Sequence, residues 1–310
     1  MARDVQFSAV IPTFNRAGTL GRAIESILRQ ERGASEILVV DDGSADDTRR
    51  LISQYGQRVR YIYQDNQGVS AARNRGVSEG TYPWIAFLDS DDQWLPGHLA
   101  RIGAAIEETD AQAAVYFSDL QVGLSENTRY WDLCGLRVAA PFELALDASE
   151  WVCMRTQPMM LQASVIKKDI YLKLGGLPVS LKTREDTLLF FKLGLMFPAC
   201  AVCGCGTIMM DDGKGRLTQE FHGSSIEYSL ASVAVFSQLV SMAKTMRHRK
   251  HKTFVEELGY AHFGLSRAYY RKGRYLVSLG EMLRSVLASP RSFRRCLYGS
   301  LGVRLSRRMA

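Results

Sequence analysis

The chain has 310 residues, 46% hydrophobic and 23% charged, which excludes wholesale disorder and leaves room for one large domain with an appendage, or two modest ones. Its net charge of +7 is unevenly placed: residues 1–243 hold 23 Lys and Arg against 29 Asp and Glu, whereas residues 244–310 hold 16 against 3. The basic tail calls for an anionic partner, and composition alone leaves nucleic acid and a membrane surface both open.

Phe7 to Pro12 is a short strand, too uniformly apolar to have a wet face. Leu20, Ala23, Ile24, Ile27 and Leu28 then recur at helical spacing. Ile37 to Val40 makes a second buried strand, followed by Asp41-Asp-Gly-Ser44. Ser44 with Asp47 has the spacing of a capping box for the next helix. Val59 to Tyr63 reads as a third strand, Gly68 to Glu79 as a helix, and Trp84 to Leu88 as a fourth strand ending at Asp89. Pro96 suits a first helical turn leading to Leu99, Ile102 and Ile106, and Ala113 to Phe117 is a fifth strand. Apolar strands alternating with helices predict an α/β domain whose mostly parallel sheet is covered on both faces. Ligands of such sheets bind beyond the carboxyl ends of the strands, where both acidic clusters fall.

Residues 120–225 are less regular and read as an acceptor-side elaboration of the same domain. The uncharged run Leu193 to Met210 is broken by Gly194, Pro198, Gly204 and Gly206, so it suits short buried strands better than a membrane span. From about residue 226 the pattern is helical. Tyr269, Gly273, Tyr275, Ser278 and Pro290 stand at offsets resembling one tetratricopeptide helix pair, a unit that cannot bury its own face alone.

The six cysteines lack the spacing of a secreted disulfide framework, and Met-Ala-Arg-Asp opens without a signal-peptide pattern; the expectation is a reducing cytoplasm. Cys200-Ala-Val-Cys203-Gly-Cys205 resembles part of a zinc knuckle, but no fourth ligand precedes His222, and core packing is the better reading. No histidine is assigned a catalytic role.

Three carboxylates in Asp89-Ser-Asp-Asp92 repel one another and need a cation or donors nearby. Mg²⁺ is often shared between such carboxylates and substrate phosphates. Asp41-Asp42 can accept from a nucleobase N–H or a ribose hydroxyl. The plain alternative for both clusters is a helix-entry turn, in which Asp and Gly are favoured.

Val10-Ile-Pro-Thr-Phe-Asn-Arg16, Val39-Val-Asp-Asp-Gly-Ser44, Gly68-Val-Ser-Ala-Ala-Arg-Asn-Arg-Gly76 and Phe87-Leu-Asp-Ser-Asp-Asp92 resemble, in order and spacing, the successive signatures of glycosyltransferase family 2. A weaker likeness continues at Leu174-Gly-Gly-Leu177 and Arg184-Glu-Asp186. The resemblance implies a GT-A fold over residues 5–225, with a donor-binding half at 5–120 and an acceptor-side half at 121–225. A basic α-helical region follows at 226–310. It further implies a nucleotide-diphospho-sugar donor, Mg²⁺ or Mn²⁺, and inversion at the anomeric carbon. On matching positions, Pro12 and Phe14 line the nucleobase pocket, Asp42 bonds the base and Arg73 lies near the nucleotide. Asp89 faces the ribose or donor sugar, Asp91 ligates the metal, and Asp186 is the base that activates the acceptor hydroxyl. Glu185-Asp186 ahead of Leu188 also suits a helix N-terminal acid pair.

No Gln-x-x-Arg-Trp element and no cluster of membrane helices is present, which argues for single additions to a glycan or lipid-linked acceptor rather than processive synthesis. A nucleotidyltransferase is the enzyme alternative, disfavoured because Pro12-Thr-Phe-Asn15 is no Gly-rich basic loop. A non-catalytic nucleotide-sugar-binding module is the other alternative. For the tail, Phe293, Leu297, Leu301 and Leu305 form a narrow apolar stripe among arginines over residues 291–310. That pattern predicts peripheral binding to an anionic membrane, on the inner face of the cytoplasmic membrane, in preference to nucleic acid; the plain alternative is that the stripe packs on the catalytic domain and the arginines are merely solvated.

Overall fold

The computed structural model describes residues 5–123, 128–210 and 225–300. The chain divides into two compact units, Met1–Ser180 with Glu185–Lys214, and Leu181–Arg184 with Gly215–Ala310.

The first unit is built on a nine-stranded sheet. Strand β1 (Phe7–Thr13) is buried along its whole length, so it sits centrally, between β2 (Glu36–Asp41) and β4 (Trp84–Phe87), both parallel to it. Strand β3 (Arg60–Tyr63) extends the parallel part outward from β2. Helices α1 (Ala17–Leu28), α2 (Thr48–Ser53) and α3 (Val69–Glu79) make the crossovers. Phe7, Ile11, Leu20, Ile24, Ile27, Leu99 and Ile102 belong to one buried cluster.

Beyond β4 the sheet is mixed. After β5 (Gln93–Trp94) and α4 (His98–Glu108) comes the expected fifth strand, here β6 (Val115–Val122). It does not join β4. Past α5 (Tyr130–Cys134), β7 (Phe142–Ala145) and α6 (Ser149–Val152) the chain returns as β8 (Ser164–Lys167), which inserts between β4 and β6, antiparallel to both. An apolar run carries no information about direction, so the parallel alternation could not reveal that insertion. Helices α7 (Lys168–Lys173) and α8 (Glu185–Met196) lead to β9 (Ala199–Met209), parallel to β6 and flanked by β5 and β7. The run Leu193 to Met210 is therefore the end of one helix and one long strand, not several short strands. Glycines at 204 and 206 fall where the β6–β9 register shifts, which lets the strand continue through them.

Two local expectations are corrected. Ser44 caps no helix: its Oγ accepts from the Asn15 amide at 2.8 Å. Asp46 serves α2 instead, its Oδ1 accepting from the Thr48 amide at 3.1 Å and the hydroxyl at 2.5 Å. Pro96 lies two residues ahead of α4, whose cap is Gly97. At Gly76 on α3, an added Cβ would stand 2.3 Å from Val10 Cγ1, so only glycine lets this helix lie so close to β1.

The second unit holds α9 (Ile226–Thr245), α10 (His251–Arg271), α11 (Tyr275–Ala288) and α12 (Pro290–Ser300). Ser225 caps α9 by accepting from the Tyr228 amide at 3.0 Å. Among the described residues, α9 alone is long and apolar enough to cross a membrane, with a mean hydropathy of 1.3. Ala231, Val235, Phe236 and Leu239 on it are buried. Helices α10 and α11 form the helix pair expected around Gly273, which turns with φ of 72°. Polar contacts join them, Ser266 with Ser278 and Ser285 with the Gly259 carbonyl.

Candidate active site

Because β2, β1 and β4 are parallel neighbours, the segments that follow them share one sheet edge. Past β1 the chain exposes Phe14, 47% accessible, while Pro12 stays buried beside Val40 of β2. Asn15 takes a positive φ of 52°. Its amide donates to Ser44, and its Oδ1 accepts from the Ala45 amide at 2.8 Å, so the loops after β1 and β2 are laced together.

The two acids after β2 divide their work. Asp41 accepts from the Ser44 amide at 2.9 Å and the Tyr61 hydroxyl at 2.7 Å. Burial, and then the bond to Asp41, push the Tyr61 hydroxyl well above its ordinary pKa. Asp42 accepts from Gln64 Nε2 at 2.7 Å and from the amides of Gln67 and Gly68 at 2.9 and 2.8 Å. It thereby shapes the loop that enters α3. A carboxylate offers about four lone-pair positions, so Asp42 retains capacity for one further donor.

The turn after β4 is closed by the Asp92 amide donating to the Asp89 carbonyl at 3.1 Å. Asp92 is buried and accepts from the Met210 amide at 3.0 Å, which makes it a link to the end of β9. Asp89 and Asp91 are half-buried. Arg73, buried on α3, donates through Nη2 to Asp89 Oδ1 at 2.6 Å and through Nη1 to Glu185 Oε1 at 3.0 Å. Burial works against its charge, but Asp89 and Glu185 outweigh that cost and hold its proton more tightly than usual.

Glu185 and Asp186 open α8. The Glu185 carboxyl is pushed up to about 7, chiefly by burial and then by the charge of Asp186, with Arg73 opposing. Asp186 is half-buried, and its Oδ1 accepts from the Thr187 amide at 2.6 Å. Direct bonds thus gather Arg73, Asp89 and Glu185, and the charge of Asp186 acts on both Arg73 and Glu185. Pro12, Phe14 and Asp42 line up along the adjoining strand ends, and Asp91 shares the Asp89 turn. Sequence reasoning passed over Glu185 as a site residue; its signal was adjacency to Asp186. It also missed Asn74, whose Oδ1 accepts from the Tyr171 hydroxyl at 2.6 Å and the Leu177 amide at 2.9 Å, tying α3 to the Gly175–Leu177 segment.

Among the described residues, no group of three His, Cys, Asp or Glu is placed to hold a metal ion by itself. Asp89 and Asp91 fit a different kind of site, in which one or two carboxylates share an ion with substrate phosphates. Thr13 Oγ1 and Arg73 Nε are among the buried polar atoms that have no hydrogen-bond partner among the described residues, as suits an edge that receives a polar ligand. All six cysteines are outside disulfides, and burial pushes the Cys200 thiol up to about 12. His222 lies outside the described residues. On α12, Phe293 packs on Phe263 with ring centroids 5.8 Å apart. Leu301 and Leu305 of the expected stripe lie outside the described residues.

Residues 8–133 match the family model for glycosyl transferase family 2. The succinoglycan biosynthesis protein ExoO of Rhizobium meliloti is 30% identical over 260 residues, 82% of this chain and 74% of that protein. Other curated relatives are covered less: the chain spans 37% of the length of an uncharacterized glycosyltransferase from Nostoc sp. and 15% of one from Rickettsia felis. Among solved structures, residues 1–349 of S. aureus TarS superpose with a TM-score of 0.65 at 17% identity, covering 93% of this chain and 82% of that one. The same protein in complex with UDP-GlcNAc gives 0.64 at 14% identity, covering 97% and 93%. The mannosyltransferase PcManGT from Pyrobaculum calidifontis, in complex with GDP-Man and Mn²⁺, gives 0.58 at 18%, covering 96% and 79%. The fold is therefore of the GT-A type. The chain belongs to glycosyltransferase family 2, which sets aside the nucleotidyltransferase alternative.

Proposed function

We propose that this chain transfers a sugar from a nucleotide-diphospho-sugar to an acceptor hydroxyl with inversion, one sugar per acceptor, in cell-surface polysaccharide or glycoconjugate biosynthesis. Residues 5–225 form the transferase domain, and 226–310 the appended basic helical region. The observation that carries this reading is the buried Arg73 fork, which draws the Asp89 turn and the start of α8 into one network beside Asp186. Relatives and neighbours support the donor class, since TarS is described with UDP-GlcNAc and PcManGT with GDP-Man and Mn²⁺. ExoO is named for succinoglycan biosynthesis.

In this reading Phe14 and Pro12 receive the nucleobase, and Asp42 offers its remaining lone pair to a base N–H. Asp89, steadied by Arg73, faces the ribose or sugar. Asp91, with Asp89 beside it, holds Mg²⁺ or Mn²⁺, which when bound neutralises charge on the departing diphosphate. Asp186 takes the acceptor hydroxyl's proton from the face opposite the leaving group. The acceptor is a glycan or a lipid-linked glycan, and the basic residues 291–310 attract the anionic inner face of the cytoplasmic membrane. Screening UDP-, GDP- and dTDP-sugars with Mn²⁺ for protection against thermal unfolding tests the donor assignment. One nucleotide class should raise the melting temperature by several degrees, since ligand at about a hundred times Kd stabilises by about 2.7 kcal/mol. Protection by none of them removes the proposal.

A further inference from the structure

Helix α11 carries its polarity reversed. Its buried residues are Ser278, Glu281 and Ser285; the serines bond to α10, and Glu281 is shared between His262 of α10 and Arg284 of α11. Ser278 exchanges hydrogen bonds with Ser266 at 2.9 and 2.8 Å, Glu281 meets His262 Nδ1 at 2.7 Å, and Ser285 donates to the Gly259 carbonyl at 2.7 Å. The outward face is apolar: Leu276 is 87% accessible, Leu279 54%, Leu283 57% and Leu287 83%. These leucines are spaced three, four and four residues apart, so they form one stripe about 16 Å long. A helix that turns serines inward and leucines outward is the inverse of an ordinary core-facing helix. A contiguous exposed apolar face of this kind marks an interaction surface.

Charge indicates what covers it. Arg271, Lys272 and Arg274 are exposed just before the stripe, whereas Arg284 beside it pairs with Glu281 and Arg291 after it with Glu256. Glu281, the one acid on α11, is turned inward. Pairing the stripe with a second copy of itself would set these cations against their own duplicates. An anionic bilayer supplies both an apolar layer for the leucines and negative charge for the flanking arginines. Tyr275, exposed at the first turn, suits the boundary between the two.

We infer that α11 docks on an anionic lipid surface, with Leu276, Leu279, Leu283 and Leu287 entering the headgroup–acyl boundary. This surface is distinct from the stripe expected over 291–310, and it stands whether or not that segment binds lipid.

Flotation of the full-length chain with phosphatidylglycerol vesicles, and with phosphatidylcholine vesicles as the neutral control, tests it. The wild type should float with the anionic vesicles only and release as salt rises. The double variant Leu279→Ser, Leu283→Ser should lose about tenfold in apparent affinity at an unchanged melting temperature. Should that variant fold poorly, Leu287→Ser alone, at the most distant exposed turn, should still weaken binding measurably. Undiminished flotation of the folded leucine variants would overturn the assignment. So would a wild type that ignores the vesicles and sediments as a dimer that the leucine variants dissociate.

Discussion

Arg73 and Glu185 are separated by 112 positions in the chain, yet Nη1 of the one stands 3.0 Å from Oε1 of the other, with side chains only 8% and 12% accessible. The contact joins α3, which follows the loop organised by Asp42, to the first turn of α8, which carries Asp186. The opposite prong of the same guanidinium holds Asp89. One buried side chain therefore sets the spacing between the carboxyl edge of the sheet and the start of α8.

Replacing Arg73 by Met should unfold this arrangement rather than merely weaken it. Two carboxylates, one of them nearly buried, would lose their counter-charge, and removing one partner of a buried pair costs about 3–5 kcal/mol. Urea unfolding should show a loss near that size. Arg73→Lys keeps a charge but not the two-pronged geometry, and should fall between the wild type and Met. A Met variant as stable as the wild type would show that the fork contributes little.

Glu185 should leave a signature in the pH dependence of stability. Its folded-state pKa of about 7 lies above the ordinary 4.5, so between those values the folded chain holds a proton that the unfolded chain has released. The stability from this group is fully present below about 4.5 and is lost as pH rises through about 7. Melting temperatures of Glu185→Gln and wild type, compared from pH 4.5 to 7.5, should differ by a slope: the wild type loses stability relative to the variant as pH rises. Parallel curves would contradict the raised pKa.

Asp186 and Asp91 should separate chemistry from donor binding. Asp186→Asn keeps shape and removes the carboxylate proposed as the base, so kcat should fall by about two to four decades, while donor Kd by calorimetry changes only a few-fold. Asp91→Asn should instead abolish the dependence of donor binding on Mn²⁺ along with turnover. Full activity of the Asp91 variant, or of the wild type in excess EDTA, would refute a metal held there.

Gly76→Ala tests the packing beneath the site. The new Cβ would meet Val10 Cγ1 at 2.3 Å and Val40 Cγ2 at 3.3 Å. Either α3 shifts outward, carrying Arg73 with it, or β1 gives way. Overpacking of this kind costs about 1–3 kcal/mol. Stability should fall by that amount in denaturant, and Gly76→Ala combined with Val10→Ala should recover part of it.

Sequence alone determined the parallel part of the sheet. Uniformly apolar runs such as Phe7 to Pro12 and Ile37 to Val40 can be placed only in a sheet covered on both faces, and acids immediately after them must fall at its carboxyl edge. Strand and helix identity here are local properties, carried by spacings of two and of three to four residues, and the order of the motifs specified the family. Asp89, Asp91 and Asp186 were singled out from the likeness of those motifs to the family's, as expectations about the site.

Tertiary structure decided what depends on partners far away in the chain. Ser44 had the spacing of a cap, but Asn15 claims its hydroxyl from 29 positions away, so a good local signal lost to a better distant bond. Glu185 is set apart from an ordinary helix-entry acid only by Arg73 and by burial. Strand β8 entered between β4 and β6 because an apolar run fits either direction of pairing. Helix α11 is the clearest case. The recurrence of Leu276, Leu279, Leu283 and Leu287 states that an apolar face exists, and periodicity is unchanged when a helix is turned over. Only the serines and Glu281 finding their partners on α10 determined that this face points outward, because buried polar groups must be satisfied wherever the leucines then fall.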